Sequence, residues 1–367
     1  MTGGALYEEE LTRRLRELYE SYGYERFFMN KFEEYDLYSE NKRFLTDGNI
    51  LTFTDKNGKL MALKPDITLS IVKNQSASRS RASCGKYYYR ESVYRTRRGE
   101  DAFSEIMQTG VECVGSIDTA MICEVILMAL ESLSLTGERT VLEISSMGIL
   151  EGMLSGVSNE YRHEIIKCVS AKNAHGTAEC VAAAGLDSKV TQRILKLFDI
   201  SSPISVCCDD IMSTAVGDEA IKAAGELCRL RDMLKGCGRA DEVYFDISLV
   251  YDRMYYTGVV FRGFADGVPE RILSGGHYDG LAARGERRGE GVGFALYTDP
   301  LMRKRSVRTH RHVDMIIEYA AGNDVKALVL ADKARADGKS VYLCRIGDEC
   351  DIEGDEKVTL NGEVGGI

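Results

Sequence analysis

Between Lys86 and Gly115 the chain reads KYYYRESVYR, then the charged stretch TRRGEDA, then FSEIMQTGVECVG. Two long runs rich in aromatic and β-branched residues flank a polar loop too short for a helical crossover, which needs about a dozen residues. The second run can pair back on the first, which points to an antiparallel sheet. A second hairpin is expected nearby. LTFTD and KLMAL flank Lys56-Asn57-Gly58, and Asn-Gly is a strong turn signal.

Helices are expected over Leu6 to Tyr22 and Thr119 to Leu133, and from near Pro65, where proline suits a first turn. ERTVLEIS (Glu138 to Ser145) reads as a further strand. Apolar residues then recur at helical spacing across residues 146–240, which reads as a helical insertion. Strand signal returns with EVYFDIS and YYTGVVFRGFA, followed by SGGHYDGL as a Gly-rich turn and GVGFAL as a strand. The tail, 311–367, has β-α-β spacing and is short for an independent core. The expected organisation is therefore α+β: an antiparallel sheet flanked by helices over 1–145 and 241–306, the insertion at 146–240, and a small α/β tail.

Composition removes several functions. The chain has 367 residues, 44% of them hydrophobic, enough for two or three packed domains. A formal charge of -10 argues against a protein that lives on nucleic acid. No run approaches the ~20 apolar residues of a membrane span, and acidic residues occupy the start where a signal peptide would be apolar. The 11 Cys show no C-x-x-C pair and the 5 His do not cluster, so no metal site is expected. Buried thiols in a reducing cytoplasm are the plain reading. No dinucleotide fingerprint, P-loop or nucleophile elbow occurs, and no catalytic residue is assigned.

Three stretches look like walls of one small-molecule pocket. In QTGVE, Gln108, Gly110 and Glu112 alternate onto one strand face, and Gln and Glu are costly to bury without a partner. YDRMYYTG puts Tyr251, Arg253 and Tyr255 on one face of a strand and Tyr256 on the other, and SGGHYDGL adds Tyr278. Each alone also has an ordinary explanation: a solvated strand face, amphipathic core tyrosines, a turn.

Together and in this order, LKPDIT, YRESVYR, FSEIMQTGVECVG, LVYDRMYYTGVVF, LSGGHYDGLA and GVGFAL resemble the catalytic fold of class II aminoacyl-tRNA synthetases, within it the histidyl branch. The resemblance implies a histidine pocket. Asp66 and Thr68 match positions that hold the α-amino group, with Asp66 standing where the synthetases usually have Glu. Gln108 matches a position near the amino and carboxylate ends. Glu112 matches the acceptor for an imidazole N–H, and Tyr256 and Tyr278 match the walls of the imidazole slot. Arg95 matches the arginine that grips the α-phosphate of ATP, and with Arg97 it forms a candidate anion site. The ordinary alternative for that pair is a solvated hairpin tip.

The departures bear on function. The synthetases have Arg at the positions of Tyr251 and Pro300, and a Glu where Arg97 stands; here Glu100 and Asp101 sit where cations would help. Each lost charge-stabilising group is worth about 2–4 kcal/mol in a transition state. A chain that keeps the amino-acid pocket and loses the nucleotide machinery resembles the regulatory-subunit family of ATP phosphoribosyltransferase, a synthetase paralogue. That likeness implies a non-catalytic protein without cofactor or metal. It implies a homodimer that joins a short-form catalytic subunit in a hetero-octamer and binds L-histidine as feedback inhibitor of the first step of histidine biosynthesis. It also makes 311–367 a truncated anticodon-binding domain. A divergent histidyl-tRNA synthetase and a free-standing histidine sensor remain as alternatives.

Overall fold

The computed structural model describes residues 3–39, 50–77, 84–96, 102–252, 256–282, 288–306, 311–348 and 352–361. Helix α1 (Gly3–Ser21) buries Leu11, Leu15 and Tyr19 at four-residue spacing, the stripe that an amphipathic helix turns to a core. Short strands β1 (Glu25–Arg26) and β2 (Phe32–Glu34) and the one-turn helix α2 (Tyr35–Ser39) follow. The Asn-Gly turn joins β3 (Thr52–Thr54) to β4 (Leu60–Leu63) as expected. Asp55 accepts the backbone N–H groups of Asn57 and Lys59, and Gly58 takes a left-handed φ of 79°. Helix α3 (Thr68–Ala77) begins later than the expected start near Pro65, because the Asp66 side chain caps it, accepting the Leu69 N–H at 2.9 Å.

The long hairpin is β5 (Cys84–Thr96) and β6 (Phe103–Gly115), in register from Cys84 opposite Gly115 to Thr96 opposite Phe103. Helix α4 (Thr119–Ser134) is capped by Asp118 and buries Ile122, Val125, Ile126, Ala129 and Leu133. Its Glu124 pairs with Lys86 of β5 at 2.6 Å, and its Glu131 pairs with Arg239. After β7 (Thr140–Ser146) come six helices: α5 (Met147–Met153), α6 (Asn159–Ser170), α7 (Ala174–Ala183), α8 (Ser188–Phe198), α9 (Ile204–Thr214) and α10 (Asp218–Gly236). Helices α5 and α10 meet closely: a Cβ on Gly152 would lie 2.3 Å from the Ala220 nitrogen. Strands β8 (Val243–Phe245), β9 (Val259–Ala265), β10 (Leu273–Ala282) and β11 (Arg288–Tyr297) then complete the sheet, and α11 (Asp299–Ser306) follows.

Among the described residues these strands form an eight-stranded sheet in the order β1-β5-β6-β11-β10-β9-β7-β8. Its centre is antiparallel, as the hairpin requires, while the outermost pairs, β1 with β5 and β7 with β8, run parallel. Side-chain alternation sorts the two faces. One carries Tyr88, Val111 and Phe294, with Tyr19 of α1 against Phe294 at a ring distance of 6.1 Å. The other packs Tyr89, Val93, Val114 and Tyr278 with Ile67, Leu69 and Ile71 around the start of α3.

Two further expectations need correction. LSGGHYDGLA is a strand, β10, and not a turn. Gly275 and Gly276 have no positive φ; they are there for close approach. A Cβ on Gly275 would lie 2.5 Å from the Gly293 carbonyl oxygen, and one on Gly276 would lie 2.7 Å from the Tyr256 ring. Tyr251 belongs to a 3-10 turn, Ile247–Asp252, rather than to an alternating strand; Arg253 and Tyr255 lie outside the described residues.

The chain divides into two compact units, Leu11–Leu301 and the tail from Met302 with the first ten residues. In the tail unit, β12 (Arg311–Tyr319), α12 (Asp324–Ala336) and β13 (Val341–Arg345) form the expected β-α-β crossover. A further strand, β14 (Ile352–Leu360), pairs parallel with β12. Met315, Ile317, Ala327 and Ala331 form the core there.

Candidate functional site

Strand β6 presents Gln108, Gly110 and Glu112 to one face of the sheet, and that face is where a cavity opens. The cavity encloses about 680 Å³ of space, counting its open mouth. Asp66, Thr68, Gln108, Glu112, Tyr256 and Tyr278 all line it. The residues matched to a histidine pocket are thus brought together from four places: the start of α3, β6, the approach to β9, and β10. Arg95 lines it as well, whereas Arg97 lies outside the described residues. Pro300 is in the first turn of α11 and is not among the lining residues.

Glycines make the space. Gly293 lines the cavity and Gly110 packs close against β11, and a side chain at either would collide. A Cβ on Gly110 would lie 2.0 Å from the Phe294 carbonyl oxygen, and one on Gly293 would lie 2.3 Å from Glu112 Oε2. The Tyr256 ring lies over the bare backbone of Gly276, leaving a slot floored by peptide and walled by aromatic surface.

Glu112 stands at the inner end, 4% exposed. The Thr68 hydroxyl donates to Oε1 at 2.5 Å and the Tyr278 hydroxyl donates to Oε2 at 3.0 Å. Its carboxyl pKa is raised to about 8, the net of burial, which raises it most, the two hydroxyl donors, which lower it, and the nearby Asp66 charge, which raises it. Glu112 therefore holds a proton at neutral pH while the pocket is empty. Tyr278 stays a neutral hydroxyl, because burial and the Glu112 charge raise its pKa well above the ordinary value.

Asp66 is half-buried at the start of α3. Burial raises its pKa, and the Leu69 N–H, the Arg95 guanidinium and the Thr68 N–H each oppose that shift. Burial thus raises both carboxyls of the cavity, and at Asp66 the Arg95 guanidinium and two backbone N–H groups oppose the rise. A neutral acid flanked by hydroxyls suits a weakly basic ring nitrogen, which can take the proton and leave a carboxylate with two donors already in place. The Asp66 carboxyl, in its ionised form, suits an ammonium. The acceptor role expected for Glu112 thus involves a proton that the sequence did not reveal.

The cavity has lining residues that the sequence reading missed: Tyr89, Arg271, Ser274 and Tyr297 among them. Tyr89 donates to the Phe294 carbonyl at 3.2 Å and so ties β5 across to β11. Arg271 precedes β10, Ser274 is inside it and Tyr297 ends β11; they reach the cavity through strand register, which no local motif announces. Among the described residues no cluster of His, Cys, Asp and Glu could hold a metal ion, and no helix is long and apolar enough to cross a membrane.

Comparisons with known proteins show what the chain as a whole is similar to. A protein of Ruminiclostridium cellulolyticum named ATP phosphoribosyltransferase regulatory subunit is 25% identical, with 98% of this chain and 87% of the relative covered. The crystal structure of an ATP phosphoribosyltransferase regulatory subunit/histidyl-tRNA synthetase from Bacillus halodurans matches with a TM-score of 0.77 at 24% identity, covering 98% of this chain and 95% of that one. A chain of the ATP phosphoribosyl transferase (HisG:HisZ) complex from Thermotoga maritima matches with a TM-score of 0.62 at 18% identity, covering 78% and 96%. These structural likenesses are likenesses of fold. The family model of histidyl-tRNA synthetase matches residues 4–301, most of the chain and the whole of the cavity described above, and the chain belongs to the histidyl-tRNA synthetase family.

Proposed function

We propose that this chain is the regulatory subunit of an ATP phosphoribosyltransferase, which binds free L-histidine and performs no chemistry itself. One observation carries the reading. The six residues matched to a histidine pocket line one cavity, while Tyr251 and Pro300 stand where the synthetases have arginines that serve ATP. Relatives that carry the regulatory-subunit name over nearly the whole chain support it, as does the fold shared with a chain of the HisG:HisZ complex. The histidine ammonium would meet Asp66 and Thr68, the ring would lie against Tyr256 and Tyr278, and Glu112 would bond the imidazole.

In this reading the chain is cytoplasmic, forms a homodimer, and assembles with a short-form catalytic subunit into a hetero-octamer. Its tail is a shortened anticodon-binding domain, and the Arg95 and Arg97 pair is an anion site left from nucleotide binding. Histidine shifts the pocket toward a state whose contacts inhibit the catalytic subunit. Coupling of this kind is about 1–3 kcal/mol and reciprocal, so substrates of the catalytic subunit change histidine affinity by the same factor.

The test is to mix the purified chain with a short-form catalytic subunit and follow complex formation, phosphoribosyl transfer and its inhibition by L-histidine. Activation together with inhibition is the expected result, and Glu112→Ala should abolish inhibition while sparing assembly. Histidine-dependent ATP–pyrophosphate exchange by the chain alone would instead establish the synthetase alternative.

A further inference from the structure

Strand register divides the cavity into two levels. At the inner level Glu112 of β6 faces Gly293 of β11, which faces Gly276 of β10. At the outer level Gln108 faces Tyr297, and the Tyr297 N–H donates to the Ile272 carbonyl at 2.8 Å. Arg271, next to Ile272, therefore sits by the Gln108 level and lines the cavity there with Tyr297, while Ser274, opposite Ala295 and so level with Gly110, lines it one step further in. The two levels are four residues apart on β6, about 13 Å between Cα positions at ~3.3 Å per residue. Side chains reaching in from both levels span an amino acid whose ring lies at the inner end.

The two arginines of the cavity are placed differently. Arg95 lies close enough to Asp66 for its charge to oppose the rise that burial gives that carboxyl's pKa, and in the β5–β6 ladder it is opposite Ser104, beyond Gln108 on the outer side. Arg271 makes no hydrogen bond or ion pair among the described residues, and its side chain is exposed at the mouth. An ammonium held by Asp66 leaves the carboxylate of the same ligand at the outer level, where an unengaged guanidinium offers two parallel donors in the geometry a carboxylate accepts.

We propose that Arg271 binds the α-carboxylate of the amino acid held in this cavity, and that it makes the site select an amino acid over the corresponding amine. The inference rests on the histidine reading and adds a residue to it.

The experiment is titration calorimetry on the full chain with two probes: L-histidine, and histamine, which keeps the ring and ammonium and lacks the carboxylate. Hydrogen bonds to a charged group contribute about 1.5–3 kcal/mol, so wild type should favour L-histidine by about 10- to 100-fold. Arg271→Met should weaken L-histidine by that factor and leave histamine unchanged, bringing the ratio toward one. Arg271→Lys should retain part of the preference. Unchanged histamine binding also shows that the variant is folded. A full preference kept in Arg271→Met, or equal binding of both probes by wild type, overturns the role of Arg271 and leaves the pocket standing. No binding of either probe by wild type overturns the histidine reading and this inference with it.

Discussion

Replacing Glu112 by Gln removes the most perturbed carboxyl of the cavity while keeping its shape, and the effect on stability follows from its titration. The group is almost fully buried, and its pKa rises from the ordinary 4.5 to about 8. The folded state thus holds a proton that the unfolded state releases above its own, lower pKa. Its stabilising contribution is complete below pH 4.5 and is lost as pH rises through 8. At 1.36 kcal/mol per pKa unit the loss over that window is on the order of 5 kcal/mol. Glutamine does not titrate, so its contribution is flat. Other carboxyls titrate alike in both proteins, and the quantity to read is wild type minus variant. Denaturant unfolding at a series of pH values between 4.5 and 8.5, followed by circular dichroism, gives that difference. Wild type should lose stability relative to Glu112→Gln by up to about 1.4 kcal/mol per pH unit, levelling above pH 8. Parallel stability curves would refute a proton on the buried Glu112.

The same proton shapes ligand binding. Histidine should bind tightest between about pH 6.5, where its ring loses a proton, and about pH 8, where empty Glu112 loses its own. Affinity should fall by up to tenfold per unit on either side, and a calorimetric pH series without that plateau contradicts the pairing. Lys64 is 1% exposed and lies 2.6 Å from Glu91. Lys64→Met should cost roughly 3 kcal/mol by stranding the carboxylate, and Lys64→Met with Glu91→Leu should recover most of it in the same unfolding assay. Gly110→Ala places a methyl 2.0 Å from a backbone oxygen of β11. It should cost about 3 kcal/mol or more and weaken L-histidine binding, and a variant with wild-type melting temperature would show that the strands yield.

Much of the site could be read from single strands. The two-residue alternation of Gln108, Gly110 and Glu112 put them on one face, and the Asn57-Gly58 turn set its hairpin, because both signals are local. The glycines of LSGGHYDGLA misled, since glycine marks turns more often than close approach; what they approach, Gly293 and Tyr256, comes from elsewhere in the chain. Strand β14 was missed because IEGDEKVTL carries charges along a largely exposed edge and offers no apolar run. The start of α3 was misplaced because proline at 65 suggested a first turn, whereas Asp66 acts as the cap. Arg271 could not be found by motif at all: it reaches the cavity through the register of β11 against β6 and the bond from Tyr297 to Ile272. The proton on Glu112 was equally hidden, since it depends on how deeply three separate segments bury one carboxyl.

The proposal that this cavity takes a free amino acid meets its most direct test in calorimetric titration of L-histidine into the full-length chain at pH 7, with D-histidine as the control. Saturable heat for the L-isomer at one site per chain, lost in Glu112→Ala, is the predicted result. A flat titration with a folded protein would contradict the account at its root.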